Sequence, residues 1–136
     1  MLDNILKEIA EENGYTFIHP FDDLAVATGQ GSIAMEIFKE LPLVEYILVP
    51  IGGGGLATGI STLAKMLNPN IKVIAVEPAE SPLISEGHAG PHGIQGIGAN
   101  FVPKILNTNI CTTSNNIKLF YTGCLSYITN IKCWEV

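Results

Sequence analysis

Residues 46–59 read YILVPIGGGGLATG: an apolar run ends in four consecutive glycines, and apolar residues at helical spacing begin behind them. This order predicts a strand, a tight turn and the start of a helix. Glycines let the backbone turn sharply with no Cβ in the way, so several N–H groups at the helix N-terminus can close around an anion. We therefore expect a phosphate to bind at the turn formed by Gly52, Gly53, Gly54 and Gly55.

The elements on either side of the glycines complete a βαβ unit. The helix is marked by apolar residues on one face, Leu56, Ile60, Leu63, Ala64 and Leu67, and Asn68 and Pro69 stop it. A short β-rich run at residues 72–77 follows. Such a unit implies parallel strands with a right-handed crossover, and ligands in these folds bind at the carboxyl ends of the strands. The predicted fold class is α/β, a partial doubly wound parallel sheet with flanking helices.

Weaker patterns precede the glycine turn. Residues 1–13 form an amphipathic helical start, and residues 15–18 read as a short strand. Ser32 is positioned to cap a helix that ends before Pro42. With these elements we expect at least three parallel strands, followed at residues 79–103 by a long Gly- and Pro-rich loop with a functional role.

Two phosphate ligands fit the glycine turn on these grounds. Gly52, Gly54 and Ala57 have the G-x-G-x-x-[GA] spacing of a dinucleotide site, and Glu77 stands where a ribose-binding acid is wanted. Four glycines in a row, however, leave several backbone N–H groups uncovered by side chains, which suits a terminal phosphate monoester. A glycine turn in an inactive remnant that binds nothing is the third interpretation.

A resemblance favours the monoester. The segments FIHPFDD at residues 17–23, ATGQGS at 27–32 and GGGGL at 52–56 make residues 15–77 similar to threonine dehydratase (threonine ammonia-lyase). That enzyme belongs to the tryptophan-synthase-β-like, fold-type II superfamily of pyridoxal-phosphate enzymes. The resemblance implies that the segment from Gly52 to Leu56 holds the phosphate of pyridoxal 5'-phosphate.

Further along, the resemblance changes. Residues 68–106, with EPAESP at 77–82 and IQGIGANFVP at 94–103, resemble cysteine synthase (O-acetylserine sulfhydrylase). In that family the segment from Gln95 to Ala99 lines the mouth of the active site, which implies substrate-side positions at Gly96 and Ala99. Gly93 departs from the pattern, because cysteine synthases usually have a lysine there. The chain thus reads as a chimera of two related families.

Both resemblances imply an incomplete enzyme. The lysine that links covalently to the cofactor lies, in both families, before the region matched here, and no lysine of this chain sits in a comparable motif. We assign no catalytic residue and expect the chain to be inactive alone. The implied parent activity is deamination of threonine or serine to a 2-oxo acid and ammonia, with cysteine synthesis as the alternative. The parent would act on a small amino acid and form a homo-oligomer.

The end of the chain matches neither family. We expect a partial α/β domain at residues 1–110 and an unmatched tail at 111–136 that carries all three cysteines. Translation in a shifted frame is the hypothesis for this tail.

Composition and the remaining side chains exclude several classes of function. The net charge is −6 and arginine is absent, which argues against a nucleic-acid surface. No apolar run is long enough for a membrane span, and a cytoplasmic location is expected. No metal site is predicted, because the cysteines lack C-x-x-C pairing and Leu83 stands where the serine racemase branch has the second acid that holds a cation with the acid matching Glu77. His19 is expected to anchor a turn, and His88 and His92 to be solvated.

Overall fold

The computed structural model describes residues 2–107 and 131–135. Within these ranges the helices are α1 (Leu2–Asn13), α2 (Leu24–Gln30), α3 (Ser32–Glu40), α4 (Gly55–Leu67) and α5 (Leu83–Glu86), and the strands are β1 (Tyr46–Pro50), β2 (Lys72–Pro78) and β3 (Ile131–Glu135). The α/β class is confirmed. Among the described residues, no helix has both the length and the apolar character needed to cross a bilayer.

The predicted βαβ unit is present, and the sheet around it differs from expectation. β1 and β2 pair in parallel, from Tyr46 opposite Lys72 to Pro50 opposite Val76. β3 lies on the other side of β2 and runs antiparallel to it, so the described sheet has two parallel strands instead of the three or more expected. The tail thus contributes an edge strand to the sheet. A local pattern cannot predict this pairing, because it joins segments far apart in the chain.

The strand predicted at residues 15–18 is wrong. The Tyr15 N–H donates to the carbonyl of Ala10 at 2.7 Å, which extends the last turn of α1. Tyr15 and Ile18 are 69% and 66% exposed. A strand forms only where another strand pairs with it, and no described strand lies alongside this segment.

The hydrophobic core lies between the helices and one face of the sheet. α3 and α4 pack there through Ala34, Ile60 and Ala64, all of which are buried. The sheet contributes inward-facing side chains from alternate positions of both strands, namely Ile47, Val49, Val73 and Ala75. This alternation follows from the two-residue period of a strand. The core fixes α4 against β1 and thereby holds the glycine turn between them.

The helices agree with the sequence patterns except at their starts. α4 ends at Leu67 and α1 at Asn13, as expected. Ser32 is the first residue of α3 but does not cap it, because the N-cap is Gly31 with no side-chain bond. α2 was not predicted. Asp23 caps this helix, since its Oδ1 accepts from the N–H groups of Ala25 at 2.7 Å and Val26 at 3.3 Å.

The region after β2 is mainly loop, as predicted, interrupted by the single turn of α5. The boundary predicted at residue 110 falls outside the described residues, as do residues 111–130 and 136 of the predicted tail. The division into a domain and a tail therefore stays a prediction.

Candidate functional site

The glycine turn presents the N-terminus of α4 with free donors. The first helical bond runs from the Thr58 N–H to the Gly54 carbonyl at 2.9 Å. The preceding N–H groups, on Gly55, Leu56 and Ala57, have no acceptor within the helix. Gly54 has φ of 82°, in the left-handed region where a side chain is strained. The partial positive charge of the helix start and these donors favour an anion here.

The loops that contain Phe21 and Gly96 approach this turn so closely that there is no room for side chains at the glycine positions. A Cβ on Gly52 would collide with the carbonyl oxygen of Gly96, and a Cβ on Gly53 would collide with the ring of Phe21. On Gly55 it would lie 3.2 Å from the Phe21 carbonyl oxygen. The glycines therefore serve close packing as well as the turn.

An open cavity of about 280 Å³ lies over the turn, near the lower end of the size of small-molecule sites. All five residues expected to hold the phosphate line it. The full lining is Pro20, Phe21, Val26, Gln30, Pro50, Gly52, Gly53, Gly54, Gly55, Leu56, Gly96 and Ile97. Ala99, the other expected substrate-side residue, is half-buried and does not line the cavity.

Sequence reasoning missed the far wall of the cavity. Phe21 and Gln30 lie in the HPFDD and GQG segments that carried the resemblance, but neither was singled out. Gln30 is the one polar side chain in this lining as the structure describes it. The only signal in the sequence was that both residues lie in segments that carried the resemblance.

The loop after α5 is held against the glycine turn by His92. Its Nε2–H donates to the Gly98 carbonyl at 3.1 Å, and its Nδ1 accepts from the Ile94 N–H at 3.3 Å. The Gly98 N–H in turn donates to the Ile51 carbonyl at 2.9 Å, directly before the glycines. His92 is half-buried, so the expectation that it is solvated is wrong. Its two bonds place Gly96 over Gly52.

Comparison with known proteins assigns the chain to a family. The model of the family described as "Pyridoxal-phosphate dependent enzyme" matches residues 2–121. The chain belongs to this family. An L-threonine ammonia-lyase from Geobacter sulfurreducens is 53% identical over 72 residues, which cover 53% of this chain and 18% of that protein.

Other relatives in the family carry different activities. A serine racemase from Bos taurus is 49% identical over 76 residues, covering 56% of this chain and 23% of that protein. The crystal structure of O-acetylserine sulfhydrylase isoform 3 from Entamoeba histolytica matches with a TM-score of 0.69 and 33% identity, over 78% of this chain and 32% of that one. The chain spans about a fifth of the length of the curated relatives it matches.

The site fits the phosphate end of pyridoxal phosphate. The fit rests on the unpaired N–H groups at the start of α4 and on a cradle that a Cβ at Gly52 or Gly53 would fill. No lysine lines the cavity in the part of the chain that the structure describes. The site as described therefore offers an anion cradle without an amine.

Glu77 does not serve the role that the dinucleotide hypothesis gives it. Its side chain is 2% exposed, and its carboxylate accepts from the Ile84 N–H at 2.9 Å and from the Ser85 N–H and Oγ at 3.2 and 3.1 Å. Burial raises the pKa of this carboxyl above its usual 4.5, although the hydrogen bonds from Ile84 and Ser85 oppose the shift. Glu77 thus caps the short helix α5 and does not line the cavity, so that hypothesis loses its ribose-binding acid.

Within residues 2–107 and 131–135, no three His, Cys, Asp or Glu side chains are grouped as they would be around a metal ion. The sequence expectation that the chain holds no metal stays a prediction.

Proposed function

We propose that residues Gly52 to Leu56 hold the phosphate of pyridoxal 5'-phosphate, and that the chain is part of an amino-acid lyase or synthase. The observation that supports this most is the closeness of Phe21 and Gly96 to glycines that precede the free N–H groups of α4. When bound, pyridoxal phosphate supplies an electron sink for reactions at the α carbon of amino acids. This chain's share is to bind and orient that group.

Hydrogen bonds supply most of the affinity in this proposal. The helix dipole contributes only about 0.3–2 kcal/mol to an anion at its N-terminus. A hydrogen bond to a charged group is worth about 1.5–3 kcal/mol. Donation from Gly55, Leu56 and Ala57 therefore outweighs the dipole.

For the whole enzyme we propose deamination of threonine or serine to a 2-oxo acid and ammonia. The supporting observation is the 53% identity to a threonine ammonia-lyase over 72 residues. Cysteine synthase chemistry is the second candidate, favoured by the structural match to the Entamoeba enzyme and by residues 94–103. Because the described cavity has no lysine, we expect no turnover from this chain alone.

The test is a titration of the purified chain with pyridoxal phosphate, followed by absorbance and by borohydride trapping with peptide mapping. We expect saturable binding without a trapped lysine at the cavity. Gly53→Ala should weaken binding at least tenfold, or by about 1.4 kcal/mol, because a Cβ there would collide with Phe21 and force the backbone of the glycine turn to shift. Gly29→Ala is the control, since its Cβ would meet nothing within 4 Å. Equal binding by both variants contradicts the proposed cradle.

Three further properties remain part of the proposal. The parent enzyme is expected to be a homo-oligomer located in the cytoplasm, with no nucleic-acid or membrane partner. Sedimentation of the intact enzyme tests the first property, and cell fractionation tests the second. Retention on immobilised DNA or on lipid vesicles would contradict the third.

A further inference from the structure

Four aromatic rings form a continuous column beside the glycine turn. The Phe17 and His19 rings meet edge to face with centroids 6.1 Å apart, and His19 meets Phe21 in the same way at 4.7 Å. The Phe21 ring is then 5.8 Å from that of Phe101, which lies in the same loop after α5 as Gly96. The column therefore joins the two loops that approach the glycines.

His19 fixes the backbone at the middle of this column. Its Nδ1 accepts from the Asp22 N–H at 2.8 Å and lies 3.4 Å from the Phe21 nitrogen. The prediction that His19 anchors a turn is thus confirmed. The turn leads directly into Asp23, the cap of α2, so its geometry sets where that helix starts. Loss of the acceptor would free the Phe21 backbone on one side while the helix holds the other.

Phe21 occupies the space that a side chain on Gly53 would fill, and its carbonyl covers Gly55. It also lines the cavity. An anion held by the start of α4 touches N–H groups, whereas a larger ligand that carries a phosphate must also pass this ring. The ring is therefore placed to act on the body of the ligand and not on its phosphate.

We infer that His19 is a positioning residue for Phe21, and that Phe21 is the wall that orients the cofactor's ring once its phosphate is in the glycine cradle. This inference rests on the proposed function. The role needs an acceptor one atom beyond Cγ, which His Nδ1 and Asn Oδ1 both provide. Asparagine also forms turns of this kind through its side-chain oxygen. His19→Asn should therefore keep the turn, and His19→Ala should lose it.

The first measurement follows Phe21 directly and needs no cofactor. The chain has five phenylalanines, and labelling with 4-fluorophenylalanine gives one ¹⁹F resonance for each. Phe21→Leu removes one resonance and so assigns it. Both His19→Ala and His19→Asn remove the ring current of His19 from this line, so the two variants are compared with each other. We expect the line to be broader or further shifted in His19→Ala than in His19→Asn, and to stay in place in the control His88→Ala, which changes an exposed histidine.

The second measurement compares two ligands by equilibrium dialysis, pyridoxal phosphate and inorganic phosphate. His19→Ala should lower the affinity for pyridoxal phosphate about tenfold, since it removes a hydrogen bond and an aromatic contact. His19→Asn should stay within about threefold of the natural chain because only the ring contact is lost. Neither change should alter the affinity for inorganic phosphate, whereas Gly53→Ala should lower the affinity for both ligands.

Each other outcome overturns a specific part. The same Phe21 resonance in His19→Ala as in His19→Asn means that the Nδ1 acceptor of His19 does not position the ring. A resonance that differs between His19→Ala and His19→Asn, with the same pyridoxal phosphate affinity in both variants, means that Phe21 is not a wall of the site. Equal losses for both ligands mean that the variant has damaged the cradle itself. If the natural chain binds neither ligand, the proposed function fails, and the ¹⁹F spectra alone decide the positioning.

Discussion

The helix α4 and the helix α1 have similar amphipathic sequences and very different surroundings. In α4, Ile60 and Ala64 are 4% and 0% exposed because they face the sheet. In α1, Ile5 and Ile9 are both 46% exposed, and Ala10 is the one buried side chain among residues 4–13. Periodicity therefore determines that a helix forms, and a partner surface determines whether its apolar face is buried.

The largest expected contrast comes from truncating an isoleucine in the core and an isoleucine in α1. Ile71, which directly precedes β2, is fully buried in the core, and Ile71→Ala should lower the free energy of unfolding by about 3 kcal/mol. Ile5→Ala in α1 should cost less than about 1 kcal/mol, since the residue is half exposed and alanine favours helices. Urea unfolding followed by circular dichroism measures both. Equal losses would show that α1 is packed as tightly as the core.

A second contrast concerns glycines within the helices that hold the turn. A Cβ on Gly59 of α4 would collide with the Ala27 carbonyl and lie 2.8 Å from the Gly31 nitrogen, so Gly59→Ala should cost about 2 kcal/mol by overpacking. A Cβ on Gly29 of α2 would meet nothing within 4 Å. Gly29→Ala should therefore leave the free energy of unfolding unchanged or raise it by up to about 1 kcal/mol. Thermal unfolding of the two variants tests this. A harmless Gly59→Ala would contradict the close crossing of α2 and α4.

A third test is the pH dependence contributed by the buried end of β2. The pKa of Glu77 is raised by burial in the folded chain, so the native state binds this proton more tightly than the unfolded state does. Its contribution to stability is therefore largest below about pH 4.5 and decreases as pH rises through the raised pKa. Glu77→Gln, which stays uncharged, should remove this slope and alter stability at neutral pH by about 1 kcal/mol. Urea midpoints between pH 4 and 7 measure it, and parallel curves for the two proteins would contradict it.

The smallest effect is expected where α1 meets the rest of the chain. The Lys7 ammonium lies 5.7 Å from the centre of the Phe17 ring, an exposed cation–π contact worth about 0.5 kcal/mol. Lys7→Met should cost about that amount and should also weaken the aromatic column at its end. Lys104→Met, on an exposed loop lysine, is the control for the lost charge. A loss well above 1 kcal/mol for Lys7→Met would mean that α1 is held more firmly than its exposure indicates.

Much of the site could be predicted from local sequence. The glycines, the helix behind them and the strand after it follow from runs and periods within one segment, and α4 ends where Asn68 and Pro69 stop it. The turn at His19 also follows locally, since its partner lies three residues away. The side chains that cover the site could not be found in this way, because Phe21 meets Gly53 from a distant part of the chain.

Errors arose where a residue has two local roles and tertiary contacts select one. Glu77 has the spacing of a ribose-binding acid, yet it is buried under α5 and used as a cap. His92 lies in a Gly- and Pro-rich loop that suggests solvent, yet both of its ring nitrogens are bonded. Asp23 was overlooked as a cap because the helix that it starts is only seven residues long.

By itself, the sequence determined the βαβ unit, the glycine turn and the pyridoxal-phosphate family, because each depends on residues close together in the chain. Only the tertiary structure decided that residues 15–18 form no strand, that β3 pairs antiparallel with β2, and that Phe21 and Gly96 close over the glycines. The physical reason is that pairing and close packing depend on which distant surfaces meet. Local periodicity carries no information about those surfaces.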